Sequence, residues 1–307
     1  MGLSSVIGRR SVVLGLAAVA GCGRQAEPPK KPPTAAAASP PPPAQPVAEP
    51  AAPSIRGSLG WAVAGDWRKA DARRDPWRHP EQTLAFLGLK PGMTVVELWP
   101  GAGWYSRILG PYLTASMGKL YAATFVPAAG EAASAQIVDA YAKEMADRKD
   151  LYGAVELSHF GPKTGPLAPA GSADLVLFML TLNALMAAGL AEKAFRDAFA
   201  ALKPGGILGV EQHRAAAGGP QDPLAVDGYV QEAYVRKLAE EAGFRFAAAS
   251  EINANPKDDH THPFGVATLP PERRSSAAGA PADPKFDHAP YDAVGESDRM
   301  TLRFVRP

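Results

Sequence analysis

Short apolar runs recur along the chain from residue 94 onward, and helix-like segments separate most of them. Runs of this length indicate buried strands, whereas apolar residues at a spacing of three to four indicate amphipathic helices. The pattern predicts strands at 95–98, 119–125, 155–160, 174–180, 207–211, 244–252 and 300–305, and helices at 83–89, 105–113, 137–150, 191–202 and 229–243. Strands that alternate with helices favour an α/β fold with a mostly parallel sheet.

The stretch 94–106 combines a buried strand, a glycine turn and the start of a helix. Glu97 interrupts the apolar run, and a carboxylate inside a core strand needs a partner. Gly101 and Gly103 allow a tight turn and a close approach of the backbone to a ligand. The helix that begins at Tyr105 directs its first N–H groups into the same crevice, with Pro111 predicting an early end or a kink. This arrangement predicts a nucleotide-type binding turn.

Composition sets the broad class of the protein. The chain has 307 residues, is 46% hydrophobic and carries a net charge of +1. Such a chain can bury a sizeable core. Its charge balance lacks the basic excess of a nucleic-acid-binding protein, so no nucleic-acid partner is expected.

Residues 1–22 predict an export signal. Arg9 and Arg10 precede the apolar run 12–20, and Val19-Ala20-Gly21-Cys22 resembles a bacterial lipobox. The arginine pair fits twin-arginine export or an ordinary charged region of a general secretion signal, and both interpretations stay open. The run is too short to span a bilayer. We expect Cys22 to carry the lipid of a protein exported to the periplasmic face and anchored to the outer membrane. It would then be the only contact with a membrane.

Composition also predicts the domain boundaries. Residues 23–57 are rich in proline and alanine and predict an extended tether without a core. The globular domain is predicted to span residues 58–307. Within it, residues 253–299 form a long insertion without a regular pattern, and insertions of that length are often functional.

Polar residues at the ends of predicted strands are the candidate site residues. Thr124 ends the second strand, where an acidic residue often binds ribose. Asn183 follows the fourth strand and is a ligand contact or a helix N-cap. Glu211, His213 and Arg214 leave the fifth strand, with His213 as a general-base candidate because histidine titrates near neutrality. A Glu–Arg pair that only locks the loop is the alternative.

The insertion carries a group of metal-type side chains, Asp258, Asp259, His260 and His262. Their spacing matches no recognised zinc pattern, and such clusters are common in solvated loops. No metal site is predicted there.

The glycine turn resembles that of the class I methyltransferases, whose motif is a strand ending in an acidic residue followed by glycines. Glu97 stands at the acidic position, and Gly101 and Gly103 stand at the last two glycines, with Trp99 in place of the first. Dinucleotide-binding oxidoreductases have a third glycine where this chain has Ser106, so a nicotinamide enzyme is disfavoured.

From about Trp61 to Pro307 the chain resembles a family of bacterial methyltransferases assigned from sequence, many of them exported. The resemblance is carried by the segments 78–81, 90–105, 202–206, 250–258, 268–271 and 295–302. It implies a Rossmann-like seven-stranded sheet with helices on both faces and the last strand antiparallel. It also implies S-adenosylmethionine as cofactor, with Glu97, Trp99, Gly101, Gly103 and Tyr105 beside it, and a methyl acceptor that remains unidentified.

The chain departs from this family at two positions. Relatives carry an arginine and a His-Asn pair after the fourth strand, where this chain has Leu180-Thr181-Leu182-Asn183-Ala184. The second strand also lacks the ribose-binding carboxylate. These departures leave a second hypothesis open, a non-catalytic lipoprotein that retains the fold as a ligand- or partner-binding module.

Overall fold

A computed structural model describes residues 55–127 and 130–307. The predicted signal segment, Cys22 and most of the predicted tether lie outside the described residues. None of the helices in the described ranges is long and apolar enough to cross a membrane.

Seven strands and ten α-helices make up the described part of the chain. The strands are β1 (Thr94–Leu98), β2 (Lys119–Phe125), β3 (Glu156–Phe160), β4 (Ala173–Met179), β5 (Leu202–His213), β6 (Arg245–Ser250) and β7 (Arg299–Val305). The helices are α1 (Leu59–Val63), α2 (Asp75–Arg78), α3 (Pro80–Phe86), α4 (Ser106–Ala115), α5 (Ala132–Asp147), α6 (Lys149–Tyr152), α7 (Leu182–Ala187), α8 (Ala191–Ala201), α9 (Glu232–Glu241) and α10 (Ala289–Val294). Three 3₁₀ turns complete the structure, at Asp66–Arg68, Ala72–Arg74 and Gly265–Thr268.

The strands form one sheet in the order β3-β2-β1-β4-β5-β7-β6. β1 to β5 pair in parallel, whereas β7 runs antiparallel to both β5 and β6. The strand order reverses between β1 and β4, and ligands of open α/β sheets bind at this switch, beside the carboxyl ends of the strands. The predicted seven-stranded sheet with an antiparallel last strand is confirmed.

Helices cover both faces of the sheet because side chains alternate along each strand. On β1, Val96 and Leu98 belong to the core that α7, α8 and α9 complete. Val95 belongs to the opposite core, with residues of α1, α3 and α4. Glu97 shares the face of Val95 and is 2% exposed. The prediction of helices on both faces is confirmed.

Helix α4 continues past Pro111, to Ala115. The predicted early end is therefore wrong. A proline inside a helix removes one backbone hydrogen bond, but the neighbouring residues Ile108, Leu109, Tyr112 and Leu113 are all buried. Burial of this face compensates for the missing bond.

Two asparagines hold the 253–299 insertion in place: Asn253 connects it to the rest of the domain, and Asn255 joins its beginning to its end. The Asn253 side chain donates to the hydroxyls of Thr83 (2.9 Å) and Thr301 (3.0 Å). Asn255 donates to the carbonyls of Val294 (3.0 Å) and Glu296 (2.7 Å). The insertion contains α10 and a 3₁₀ turn, so it is a docked segment that the sequence pattern only partly predicted.

Candidate functional site

An apolar cleft of about 640 Å³ lies at the carboxyl ends of β1, β2 and β3. Trp99, Phe125 and Phe160, which follow or end these strands, supply its aromatic walls. Ala184 and Leu190 line it from the α7 side, and Glu131 and Ser134 line it at the start of α5. The cleft therefore adjoins the loop after β1, where the sequence predicted a ligand.

Trp99 is held as a wall of this cleft. Its backbone N–H donates to the Ala123 carbonyl (2.8 Å), and its indole N–H donates to the Phe160 carbonyl (3.2 Å). The ring meets Phe125 and Phe160 edge to face, with centroids 5.8 and 6.2 Å away. Its φ of 50° lies in the left-handed region that favours glycine, which is the residue that the methyltransferase motif has here. The contacts of the indole hold this backbone in place.

Glu97 points away from the cleft, toward α4 and α5. The Ser106 hydroxyl donates to Glu97 Oε2 (2.5 Å), and the Tyr141 hydroxyl lies 3.0 Å from Ser106 Oγ. Burial raises the pKa of Glu97 to about 7, although the Ser106 hydrogen bond opposes that rise. Ser106, which follows the glycine turn directly, is thus the hydrogen-bond partner that the buried carboxylate needs. Through this hydrogen bond Glu97 anchors the glycine turn.

The two glycines of the turn have different surroundings. A Cβ on Gly103, at φ 82°, would lie 3.0 Å from the ring of Tyr141, so the turn packs closely against α5. A Cβ on Gly101, at φ 57°, would meet no atom within 4 Å among the described residues. Gly101 therefore faces open space without lining the aromatic cleft, whereas close packing against Tyr141 requires a glycine at position 103.

The side chains of Tyr105 and Glu211 form a hydrogen bond beneath the carboxyl edge of the sheet. The tyrosine hydroxyl donates to Glu211 Oε2 at 2.5 Å, and the other carboxylate oxygen lies 3.3 Å from Nε of Arg299. Burial, followed by the charge of Glu211, raises the pKa of Tyr105 well above its ordinary value. Neither side chain lines the aromatic cleft of the described structure.

A second, smaller pocket of about 150 Å³ lies at the end of β5. His213 lines it, together with Leu180, Arg74, Arg78 and Ser297. The Nδ1 atom of His213 lies 2.5 Å from the Ser297 hydroxyl. Burial, followed by the charges of Arg299 and Arg78, lowers the pKa of His213 to about 3. The imidazole is therefore neutral at physiological pH.

Arg214 joins the end of β5 to the residues just before β7 and just after β6. It donates to both carboxylate oxygens of Asp298 (2.8 and 2.9 Å) and to Glu251 (2.9 Å). These hydrogen bonds, first that to Asp298, raise its pKa. Arg214 thus locks the loop, as the alternative interpretation expected, but its main partner is Asp298 and not Glu211.

Thr124 and Asn183 both have protein partners. The Thr124 hydroxyl donates to the Ser158 carbonyl (3.2 Å) and lies 2.9 Å from His159 Nδ1. The Asn183 carbonyl oxygen accepts from the Gln212 amide (3.2 Å). Thr181 occupies the N-cap position of α7, so the N-cap alternative for Asn183 is wrong.

The Asp258 carboxylate in the insertion has a full set of hydrogen-bond donors. It accepts from the Tyr229 hydroxyl (2.9 Å) and from the backbone N–H groups of His260 (3.0 Å) and Asp298 (2.7 Å), and it lies 2.8 Å from His262 Nε2. Asp258, Asp259 and His262 lie close enough together to hold an ion. The partners of Asp258 nevertheless give it a structural role that needs no metal.

Three residues at the two pockets escaped the sequence analysis. Glu131 reaches the cleft from the residue before α5, and Arg74 and Arg78 face the pocket at β5. Glu131 lies six residues beyond the end of β2 in the sequence. A search for a carboxylate beyond the strand end would have found it.

The sheet topology decides the fold of this chain. A parallel sheet whose order reverses at β1 and β4, with an antiparallel strand inserted between β5 and β6, is the arrangement that the sequence resemblance implied. This is the class I methyltransferase fold. No known family profile and no curated protein matches the chain.

Several solved structures are similar to the chain. One is an Aquifex aeolicus SAM-dependent methyltransferase, with 22% identity and a TM-score of 0.45 over 64% of this chain and 93% of that one. Another is the [4+2]-cyclase SpnF, with 16% identity and a TM-score of 0.49 over 80% and 84%. A third is Haemonchus contortus phosphoethanolamine N-methyltransferase 2 in complex with phosphomonomethylethanolamine and S-adenosylhomocysteine, with 16% identity and a TM-score of 0.46 over 75% and 53%. At these identities the reactions of those proteins do not transfer to this chain.

Proposed function

We propose that the chain is an S-adenosylmethionine-dependent methyltransferase whose acceptor is unidentified. The observation that carries the proposal is the aromatic-lined cleft beside the β1 loop, at the reversal of strand order. Its volume of about 640 Å³ falls within the range of small-molecule and cofactor sites. The motif residues Glu97 and Gly103 support the proposal by shaping the loop at its border.

The residues of the cleft fit an adenosyl group. Trp99 and Phe125 offer apolar aromatic surface for the adenine, and a ring face also favours a cation such as a sulfonium. Glu131 offers a carboxylate for the ribose hydroxyls, in place of the acidic residue that β2 lacks. Gly101 allows the backbone to come close to the ligand. When bound, the cofactor supplies an activated methyl group.

The chain contributes positioning to the proposed reaction. An apolar cleft excludes water from the reacting groups, and fixed walls hold two reactants in line. His213 is neutral at physiological pH, but a pKa of about 3 makes it a weak base, so its role in the proposed reaction is to orient the acceptor by a hydrogen bond rather than to take its proton. Glu211 and Arg214 then act through structure. Glu211 accepts from Tyr105 and forms an ion pair with Arg299 without a hydrogen bond, and Arg214 donates to Asp298.

Calorimetric titration tests the proposal. S-adenosylmethionine and S-adenosylhomocysteine should bind, and NAD should not. Replacing Glu131 with Gln should weaken S-adenosylhomocysteine binding about tenfold, because a hydrogen bond to a charged group contributes about 1.5–3 kcal/mol. The matched control is Glu240→Gln, an exposed glutamate on α9, which should bind like the unmodified protein. Equal affinities for both variants would remove Glu131 from the site.

A non-catalytic binding module is the second candidate function. It is favoured by the absence of a charged side chain in Leu180–Ala184 and by the bonding of Thr124 to His159. An exported enzyme would also need a supply of a cofactor that is made in the cytoplasm. Titrations without heat for S-adenosylmethionine, S-adenosylhomocysteine and NAD would favour this module over the enzyme.

We further propose that the protein is exported and anchored by a lipid on Cys22. The support is the apolar run 12–20 after an arginine pair and before a lipobox-like sequence. Globomycin, or a Cys22→Ala replacement, should move the protein out of the membrane fraction of cells. Unchanged fractionation in both experiments would count against the anchor.

A further inference from the structure

Three arginines share one buried carboxylate beside the pocket at the end of β5. Glu296 accepts from Nε of Arg74 (2.9 Å), from Nε of Arg78 (2.8 Å) and from Nη1 of Arg299 (2.7 Å). Burial by itself raises the pKa of Glu296, but the arginines together lower it below its ordinary value. The carboxylate is therefore ionised and fixes the orientation of the guanidinium groups.

The cluster carries an excess of positive charge. The second carboxylate is Glu211, 3.3 Å from Nε of Arg299. Three guanidinium groups thus face two carboxylates, Glu296 and Glu211. Burial, with Arg74 and Arg299 acting in the same direction, lowers the pKa of Arg78. Glu272 also lines the pocket, but it is exposed at the rim.

Arg74 and Arg78 keep hydrogen-bond donors for a ligand. Their hydrogen bonds to the described residues use only the Nε atoms, so their terminal nitrogens have no partner in this part of the chain. Arg78 is 7% exposed, lines the pocket, and lies over the ring of Trp104 at 5.0 Å. The guanidinium of Arg78 is held by Glu296 at Nε and by the ring of Trp104 on one face. It is therefore preorganised, and little entropy is lost when its free edge binds a ligand.

We propose that this pocket binds a small carboxylate through the terminal nitrogens of Arg74 and Arg78. A planar guanidinium pairs with a carboxylate in bidentate fashion. The excess positive charge of the cluster favours an anionic ligand. The volume of about 150 Å³ admits a carboxylate with a few carbons, and Leu180, Val266 and Pro270 give those carbons apolar contacts.

Two molecules could present this carboxylate. One is the methyl acceptor, which would then lie beside the neutral His213. The other is the amino-acid part of the cofactor, and both assignments rest on the proposed function. Carboxylate binding itself is independent of the proposed function, so the two proposals can fail separately.

Titration of the whole protein with succinate, acetate and inorganic phosphate tests the inference. Succinate or acetate should bind more tightly than phosphate. Arg74→Gln should weaken succinate binding at least tenfold. Arg73→Gln removes the same charge from an exposed position in the same turn, and it should change the affinity less than twofold. Thermal melts of both variants establish that they are folded.

The first set of outcomes tests whether the pocket binds a carboxylate, and a competition experiment then identifies the molecule that carries it. Equal loss in Arg73→Gln and Arg74→Gln, tighter binding of phosphate, or no binding of either carboxylate at millimolar concentration would overturn the inference. If S-adenosylmethionine competes with succinate and 5′-methylthioadenosine (which lacks the amino-acid group) does not, the carboxylate is that of the cofactor. If succinate and S-adenosylmethionine bind together, it is that of the acceptor.

Discussion

The hydroxyl of Tyr105 donates to the carboxylate of Glu211 at 2.5 Å, across 106 positions of sequence. This hydrogen bond joins the residue before α4 to the carboxyl-terminal part of β5, and both side chains are buried. It fixes the carboxyl edges of β1 and β5 relative to each other. The two pockets lie along that edge.

Tyr105→Phe should lower the free energy of unfolding by about 1–3 kcal/mol, because it leaves a buried carboxylate oxygen without its donor. Tyr112→Phe on the same helix is the control, since the Tyr112 hydroxyl makes no hydrogen bond to the described residues. That variant should stay within about 0.5 kcal/mol of the parent protein. Urea denaturation measures both, and similar values for the two would show that the Tyr105–Glu211 bond contributes little.

Glu97 predicts a pH dependence of stability. Its pKa rises from 4.5 to about 7 in the folded protein, so the folded state holds this proton more tightly than the unfolded state does. The resulting stabilisation is complete below pH 4.5 and is lost as the pH rises through 7. At about 1.4 kcal/mol per pKa unit, the total is about 3 kcal/mol.

Glu97→Gln keeps an acceptor for Ser106 and removes the titration. The variant should be more stable than the parent above pH 7, and the difference between them should vanish near pH 4.5. Denaturation curves at several pH values check this. A difference that does not vary with pH would mean that Glu97 does not titrate in this window.

His213 predicts the opposite behaviour on the acid side. Its pKa falls from 6.5 to about 3 on folding, so the unfolded state binds the proton first. Stability should therefore be lost as the pH falls below 6.5, with a slope of at most about 1.4 kcal/mol per pH unit from this group. The imidazole signals of His213 in NMR spectra should show no protonation between pH 7 and 5. An ordinary titration near pH 6.5 would contradict the burial of this ring.

Trp99 lies in a backbone conformation that costs a non-glycine residue about 1–2 kcal/mol. Trp99→Gly and Trp99→Ala remove the same ring, but only glycine relieves the strain. The glycine variant should be the more stable of the two by about 1 kcal/mol, as measured by denaturation. Equal stability would show that the backbone relaxes once the indole is gone.

Local patterns were sufficient to predict the strands, although β5 begins five residues before the predicted position 207, and the antiparallel last strand was implied by the family resemblance. The buried runs of β1, β2 and β4 are short and apolar, and the glycine turn after β1 is read from adjacent residues, so both were predicted within one or two positions. The start of α5 was placed at residue 137, whereas the helix begins at Ala132. The residues of its first turn are small and at least partly exposed, and they show no apolar periodicity.

The pocket at β5 could not be predicted in the same way. Arg74 and Glu296 meet across 222 positions, and no local pattern reports a contact of that range. From its motif position Glu97 was expected to anchor either the loop or the amino group of the cofactor, and the direction of its side chain is set by Ser106 and Tyr141, on two different helices. The motif indicated where the residue lies and not which way its side chain points.

The two ends of the 253–299 insertion meet, since the backbone N–H of Arg299 donates to the Asn253 carbonyl at 3.1 Å. The insertion leaves and rejoins the domain at one place, so the residues between its ends can change while Asn253 and Arg299 keep their contacts with the sheet. It contributes Glu296 and Ser297 to the arginine pocket, whereas none of its residues lines the aromatic cleft. Ligand choice at one pocket can therefore diverge among related proteins while the other stays the same.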